Sequence, residues 1–485
     1  MTIPTPRQFE PLAAVPIISG LFWLLAGSGV WMIFALVPGV VTLATGIGLL
    51  LWPGDRRQIE YLAMASIVGV ALALPAMVLG SFGLGVCCLV LSVCCYLVAG
   101  RLGLAIDPVA PGAPALDSSI VLDAKAALDE ALLGYFVGTA IVPSGKKAER
   151  MCAEALKLEQ ILDANGWQKK SDSFHREPPP PERSELVPGR IYGHDFERLT
   201  YRSGFVPHDE LPGAQAWANH HANNESAAWL MRRRDGERRP WLLCIHGYRM
   251  GHAWMDFGLF PPGWLYHKLG LNLLMPVLPL HGSRRIGPRS GDQYLDGDML
   301  DLLHAQTQAL WDLRRAIRWI REQEPDARIG VLGYSLGGYN TALLATVDEQ
   351  LDFVVAGIPV ADYASALWRH LPPQHQRYFS AHGLDEERYR RILSVVSPLE
   401  REPRIGADRR YIFAGAADRV VVPEHPLRLA AHWEVPVQWY QGGHLTFRHE
   451  FAVRAHIEAA MQRAGWPVSA RVRPTPGGTP ASYTP

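Results

Sequence analysis

Charged side chains are nearly absent from the N-terminal region of the chain. Between Leu12 and Gly100 only one short cluster carries charge: Asp55, Arg56, Arg57 and Glu60. The uncharged runs on either side of it are about 40 residues each, whereas the apolar stretch of a cleaved signal peptide has roughly 7–15. A soluble helical core would place polar residues at helical spacing, which these runs do not do. The pattern excludes both and indicates helices in a membrane.

Each run is twice the ~20 residues that one helix needs to cross a bilayer, so each predicts a helical hairpin. We expect a transmembrane region over residues 1–110, with four helices at about 12–30, 32–52, 61–80 and 83–100. Four crossings place Arg7, Arg56, Arg57 and Arg101 on one side. The positive-inside rule makes that side cytoplasmic, so we expect a multi-pass membrane protein whose remaining chain is cytoplasmic.

Cysteine, metal-binding motifs and nucleotide-binding motifs are also scarce. Six cysteines occur, without the dense spacing of a secreted disulfide framework. His-Glu-x-x-His, Cys-x-x-Cys, a P-loop and a dinucleotide fingerprint are all missing from the sequence. Lysine plus arginine equals aspartate plus glutamate at 47 each, which gives no electrostatic reason for nucleic-acid binding. We therefore expect no cofactor, no metal and no nucleic-acid partner.

Beyond the apolar region the composition divides the chain into further segments. We predict a helical connector at 111–175, a proline-rich linker at 176–190, a folded domain at 191–466 and a disordered tail at 467–485. Within the domain, short apolar strands alternate with helices, which predicts a mostly parallel sheet covered on both faces. The strands are expected at 199–201, 227–231, 241–245, 272–278, 329–332, 353–358, 411–414 and 437–440.

One strand end carries a nucleophile motif. Gly333-Tyr334-Ser335-Leu336-Gly337 follows the apolar strand ending at Leu332 and precedes a helical stretch. This is the strand–turn–helix context that a G-x-S-x-G serine needs, because the glycines leave room for the tight turn. The following helix directs amide hydrogens at the serine oxygen. Ser335 is therefore the candidate nucleophile.

Three further motifs stand around this one in the chain: a His-Gly-x turn ending at Tyr248, a G-x-x-D-x-x-V turn around Asp418, and a Gly-Gly-His sequence ending at His444. With them, residues 196–466 resemble the α/β-hydrolase superfamily. The resemblance implies a catalytic triad of Ser335, Asp418 and His444, with the backbone N–H groups of Tyr248 and Leu336 as the oxyanion hole. Asp362 is an alternative acid, because some members place the acid after the preceding strand.

The expected fold is thus α/β, an α/β-hydrolase domain with a small helical cap at about 366–395, joined to an N-terminal helical transmembrane region. The expected activity is that of a carboxylesterase- or lipase-like serine hydrolase acting through an acyl-enzyme. Location at a membrane favours a lipid-derived ester. The alternatives are a peptidase or acyltransferase on the same triad, and a non-catalytic membrane protein that binds lipid or a partner.

Overall fold

The computed structural model describes residues 10–29, 31–170, 173–233 and 236–466. The predicted disordered tail at 467–485 and Arg7, which contributed to the topology prediction, lie outside these residues.

Four helices form the N-terminal bundle: α1 (Ala14–Ala26), α2 (Trp31–Leu51), α3 (Arg56–Leu79) and α4 (Phe82–Ile106). Helices α2, α3 and α4 are long and apolar enough to cross a membrane, whereas α1 with its preceding 3-10 turn, Pro11–Ala13, is shorter. Helix α1 lies against α2, where a Cβ on Gly20 would come within 2.6 Å of Leu43. Small residues of this kind let apolar helices approach closely.

Two connector helices follow, α5 (Ile120–Thr139) and α6 (Lys146–Ala164). Helix α5 packs tightly across the bundle: a Cβ on Gly100 would lie 1.8 Å from the carbonyl oxygen of Asp123, and one on Gly134 would lie 3.0 Å from that of Glu60. Helix α5 is therefore packed directly against α3 and α4 of the bundle.

A nine-stranded mixed sheet forms the centre of the second half of the chain. Its strands are β1 (Ser184–Ile191), β2 (His194–Arg202), β3 (Glu225–Met231), β4 (Trp241–Ile245), β5 (Asn272–Pro276), β6 (Ile329–Tyr334), β7 (Phe353–Gly357), β8 (Arg410–Gly415) and β9 (Val437–Tyr440). The order is β1-β2-β3-β5-β4-β6-β7-β8-β9. From β5 to β9 all neighbours are parallel, and β1, β2 and β3 extend the sheet in antiparallel pairs.

Helices cover both faces of this sheet, and each face packs against them through a separate apolar core. They are α7 (Ala214–Ala218), α8 (Ala253–Leu259), α9 (Asp301–Gln323), α10 (Leu336–Leu344), α14 (Glu424–Trp433) and α15 (Phe451–Arg463), with a π-helical turn at Gly263–Lys268. Between β7 and β8 lie the three short helices of the cap, α11 (Tyr363–His370), α12 (Pro373–Ala381) and α13 (Glu386–Leu393). This architecture confirms the predicted fold class.

The structure differs from the sequence interpretation at one edge of the sheet. Strand β1 begins at Ser184, so it takes up nearly half of the predicted proline-rich linker at 176–190. It contains Pro188 and Gly189, which are depleted in strands, and it pairs only with β2. A proline is tolerated there because an edge strand has one side free of ladder hydrogen bonds.

Candidate active site

The turn after β6 holds the backbone of Ser335 in a conformation that residues other than glycine rarely adopt. Its φ is 58° and its ψ is −114°, and its N–H donates to the carbonyl oxygen of Gly357 over 2.9 Å. The motif glycines have no room for a side chain: a Cβ on Gly337 would lie 1.9 Å from the carbonyl oxygen of Ile245. The neighbouring strands thus force the turn and place Ser335 at the start of α10.

The predicted acid and base lie in hydrogen-bond contact. Nδ1 of His444 is 2.7 Å from Oδ2 of Asp418, and both side chains are buried. The other oxygen of Asp418, Oδ1, accepts the N–H groups of Val420 and Val421 at 2.9 and 2.8 Å. Burial by itself lowers the pKa of His444, but the charge and hydrogen bond of Asp418 outweigh it, so the net pKa is raised.

Asp362, the alternative acid, has other partners. Its Oδ2 accepts hydrogen bonds from Arg390 at 2.9 Å and Arg428 at 2.6 Å, and its Oδ1 caps the start of α11. Burial works to raise its pKa, but the two guanidinium groups lower it to about 2. The geometry therefore brings Asp418, and not Asp362, to His444.

The two expected oxyanion donors flank the same cavity as Ser335 and His444. Leu336 is the first residue of α10, so its N–H has no acceptor within the helix. Tyr248 lies in the loop after β4, which the ring of His246 holds in place. Nδ1 of His246 contacts the carbonyl oxygen of Gly247 at 2.8 Å, and Nε2 accepts the N–H of Leu278 at 3.1 Å. These contacts require a neutral ring, and burial lowers the pKa of His246 accordingly.

Sequence reasoning missed a second carboxylate beside His444, that of Asp129 on α5. Its Oδ2 accepts the N–H of His444 at 2.6 Å and that of Arg419 at 3.1 Å, and Oδ1 accepts that of Leu445 at 3.4 Å. The side chain is fully buried. The sequence offered one indication: an Asp-Glu pair, Asp129 and Glu130, among the small and apolar residues of a helix.

A large apolar cavity opens onto the serine. It has a volume of about 1280 Å³, and its lining includes Ser335, His444 and the loop after β4 that contains Tyr248. Helix α5 and the segment after it supply one wall, and the cap supplies another. The apolar side chains of these two walls are Leu132, Leu133, Phe136, Val137, Ile141, Val142, Ala366, Leu367 and Leu371. The charged groups near the cavity mainly neutralise one another, as in the buried pair of Arg249 and Asp292.

Among the residues that the structure describes, no group of three or more His, Cys, Asp or Glu side chains is arranged so that it could hold a metal ion.

Known proteins resemble parts of this chain in sequence. The model of the prolyl oligopeptidase family matches residues 302–451, a stretch that contains Ser335, Asp418 and His444. Two uncharacterised proteins of Mycobacterium tuberculosis, from strains CDC 1551 and H37Rv, are each 37% identical to the chain over 359 residues. The alignment covers 73% of this chain and 84% of each of theirs.

Solved structures of similar fold include an acetyl xylan esterase from Paenibacillus sp. R4, with a TM-score of 0.43, 17% identity, and coverage of 67% of this chain and 95% of that one. The acylaminoacyl peptidase of Pyrococcus horikoshii has a TM-score of 0.33 and 12% identity, and covers 58% of this chain and 41% of its own. The fold and the family-model match over residues 302–451 identify the chain as a member of the α/β-hydrolase superfamily. It belongs to the family of the two M. tuberculosis proteins.

Proposed function

We propose that the chain is a membrane-anchored serine hydrolase that cleaves apolar carboxylic esters, lipid-derived esters among them, through a triad of Ser335, His444 and Asp418. One observation carries the proposal: Ser335 and His444 line a single apolar cavity of about 1280 Å³. A pocket of this kind favours a ligand whose surface is mostly hydrocarbon, with its few polar atoms placed at the reacting centre.

In the proposed acylation, Oγ of Ser335 attacks the ester carbonyl carbon while Nε2 of His444 takes the serine proton. The carbonyl oxygen becomes negatively charged, and the N–H groups of Tyr248 and Leu336 donate hydrogen bonds to it. The C–O bond to the alcohol then breaks, and His444 returns the proton to the leaving oxygen. Asp418 holds the ring and stabilises its charged form during both transfers.

Deacylation repeats these steps with water. A water molecule gives its proton to His444 and attacks the acyl carbon, and the acid leaves as Oγ of Ser335 regains a proton. If an alcohol took the place of water, the enzyme would act as an acyltransferase. The ratio of hydrolysis to acyl transfer therefore depends on which acceptor reaches the acyl-enzyme.

The apolar walls support an acyl chain as the group that fills the cavity. Each buried CH₂ group contributes about 0.8 kcal/mol, which corresponds to an increase of about fourfold in kcat/KM for each added methylene. The wall formed by α5 also supports a membrane-resident substrate, because Ala131 of the same helix packs in the core of the N-terminal bundle.

We further propose that α2, α3 and α4, with the shorter α1, anchor the protein and that the catalytic domain is cytoplasmic. Arg56, Arg57 and Arg101 lie at the ends of helices that would face that side. A reporter fused after Trp466 is expected to behave as cytoplasmic, and one inserted at Gly29 or Ser81 as external. An external reporter after Trp466 would contradict the orientation. Recovery of the full-length chain in the soluble fraction without detergent would contradict the anchoring itself.

A peptidase is the second candidate, and the match to the prolyl oligopeptidase family favours it. A peptide carries several backbone N–H and C=O groups that need partners when they are buried, and apolar walls offer few. The ester proposal accordingly predicts that the cavity discriminates against peptides.

The test compares matched substrates in the purified full-length protein in detergent. A series of p-nitrophenyl esters with 2 to about 12 acyl carbons is assayed beside peptide p-nitroanilides, with Ser335→Ala as the blank. The proposal expects kcat/KM to rise with chain length before it levels off, and to exceed the values for the anilides. Faster cleavage of peptides than of any ester would assign the enzyme as a peptidase.

A further inference from the structure

The loop that carries His444 and the turn that carries Asp418 are joined by the carboxylate of Asp129. A single oxygen, Oδ2, accepts the N–H of His444 and also the N–H of Arg419, the residue after Asp418. We propose that Asp129 is a positioning residue of the active site: it clamps the base loop to the acid turn, so that connector helix α5 completes the triad geometry. This inference rests on the proposed function, because it assigns a role within the same triad.

The base loop is shaped to admit this carboxylate. A Cβ on Gly443 would lie 2.5 Å from Oδ2 of Asp129, closer than a side chain can approach. Gly443 is therefore needed so that the carboxylate can reach the N–H of His444. The hydroxyl of Tyr440 donates to the carbonyl oxygen of Gly443 at 2.8 Å and fixes the loop from its other side.

The charge at Asp129 also bears on His444. Burial, and then the charge of Asp418, raise the pKa of Asp129, whereas the backbone N–H donors stabilise its ionised form. When ionised it raises the pKa of His444, in addition to the larger effect of Asp418. The other titratable groups that interact with Asp129 are the phenols of Tyr96 on α4 and Tyr440 on β9.

The clamp makes α5 more than a connection between two parts of the chain. Its residues line the substrate cavity, Gly134 contacts the backbone of α3, and Asp129 holds the triad loops. Displacement of this helix relative to the sheet would move His444 and one cavity wall together.

Two variants test the clamp. Asp129→Asn leaves one acceptor oxygen, removes the charge that strengthens the hydrogen bonds and turns an NH2 group toward a backbone N–H, and Gly443→Ala pushes the carboxylate away while leaving it in the chain. We expect each to lower kcat on a short soluble ester by roughly 10- to 100-fold, the scale of a displacement of about 1 Å, with KM changed by less than about twofold. In Asp129→Asn the acid limb of the pH profile of kcat/KM should also move to lower pH.

Asp312→Asn is the matched control. Asp312 is a buried carboxylate on α9 with three hydrogen-bond donors, namely Ser203, Ser226 and Arg284, and no contact with the triad. It should lower stability and leave kcat per folded molecule and the acid limb unchanged.

A folded Asp129→Asn with the kcat and the acid limb of the wild type would overturn the clamp. A loss of activity that is explained by the folded fraction alone, as expected for Asp312→Asn, would overturn it as well. If Asp129→Asn does not fold, Gly443→Ala serves as the test. A kcat equal to that of the wild type in Gly443→Ala would then overturn the clamp. Ser335→Ala separates this failure from that of the proposed function: an inactive Ser335→Ala beside a normal Asp129→Asn would refute only the clamp.

Discussion

Oδ2 of Asp107, the residue after α4, lies 2.8 Å from Nη2 of Arg419, the residue that follows the proposed catalytic acid. The same guanidinium contacts Glu130 of α5 through Nε, also at 2.8 Å. Burial works to raise the pKa of Asp107, but hydrogen bonds from Arg56 and Arg369 hold it well below its usual range. One ion network therefore joins the N-terminal bundle, the connector, the cap and the acid turn.

Asp107→Ala is expected to destabilise the whole assembly, because it leaves three guanidinium groups without their shared partner. Loss of one partner from a buried ion pair costs roughly 3–5 kcal/mol, and we expect a reduction of about that size in the free energy of unfolding in detergent. Asp123→Ala is the control, since Asp123 lies 3.9 Å from the more exposed Arg101. Equal stability of the two variants would contradict a structural role for the network.

Asp418→Ala should lower kcat by about four orders of magnitude, because His444 loses the group that orients its ring. Asp362→Ala should instead lower stability, since it removes the cap of α11, the ion pair with Arg428 and one of the ion pairs of Arg390. Its kcat per folded molecule should stay within a few-fold of the wild type, which steady-state kinetics corrected for the folded fraction will measure. A far larger loss of kcat in Asp362→Ala would assign the acid to the earlier strand.

The pH profile should report His444 as the base. The ring must be neutral to accept the serine proton, so kcat/KM should fall as the pH drops through its pKa. Asp418 holds that pKa above the ordinary value of 6.5. In Asp418→Asn the slow residual activity should show an acid limb at lower pH, because the charge that favours the protonated ring is gone. An acid limb that stays in place or moves to higher pH would contradict the assignment.

Val137→Trp should shorten the acyl chains that the enzyme accepts. Val137 lines the cavity on α5, and a larger ring there occupies space that an acyl chain would fill. We expect kcat/KM for long-chain esters to fall more than tenfold while two-carbon esters change little. Val121→Trp on the same helix is the control, because Val121 is 64% exposed and does not line the cavity. The same loss for short and long chains would argue against an acyl-chain cavity.

The sheet and the serine turn were accessible to sequence reasoning because their determinants are local. An apolar strand, two glycines with no space for a side chain and a following helix all lie within about a dozen residues of Ser335. Strand β1 was not predicted because Pro188 and Gly189 indicate a linker unless the position of the strand at the edge of the sheet is known. The first helix was predicted to reach about residue 30, but α1 ends at Ala26. Its apolar composition alone did not show where it ends.

The choice between the two acids and the role of Asp129 depend on distant parts of the chain. Asp418 and Asp362 both follow apolar strands, and only the placement of β8 beside β9 brings one of them to His444. Asp129 is 315 residues from His444 in sequence. The Asp129-Glu130 pair among small and apolar residues is a local indication of burial, but the sequence does not show which distant loop such a carboxylate would meet.

The nucleophile is tested most directly by covalent labelling. The full-length protein is treated with a fluorophosphonate, digested, and mapped by mass spectrometry, with Ser335→Ala and Ser365→Ala treated alongside. We predict one adduct, on Ser335, with loss of ester hydrolysis in proportion to labelling. We expect no adduct and no turnover in Ser335→Ala, and normal labelling in Ser365→Ala. Undiminished ester hydrolysis by Ser335→Ala, or an adduct on another residue that tracks inactivation, would contradict Ser335 as the nucleophile.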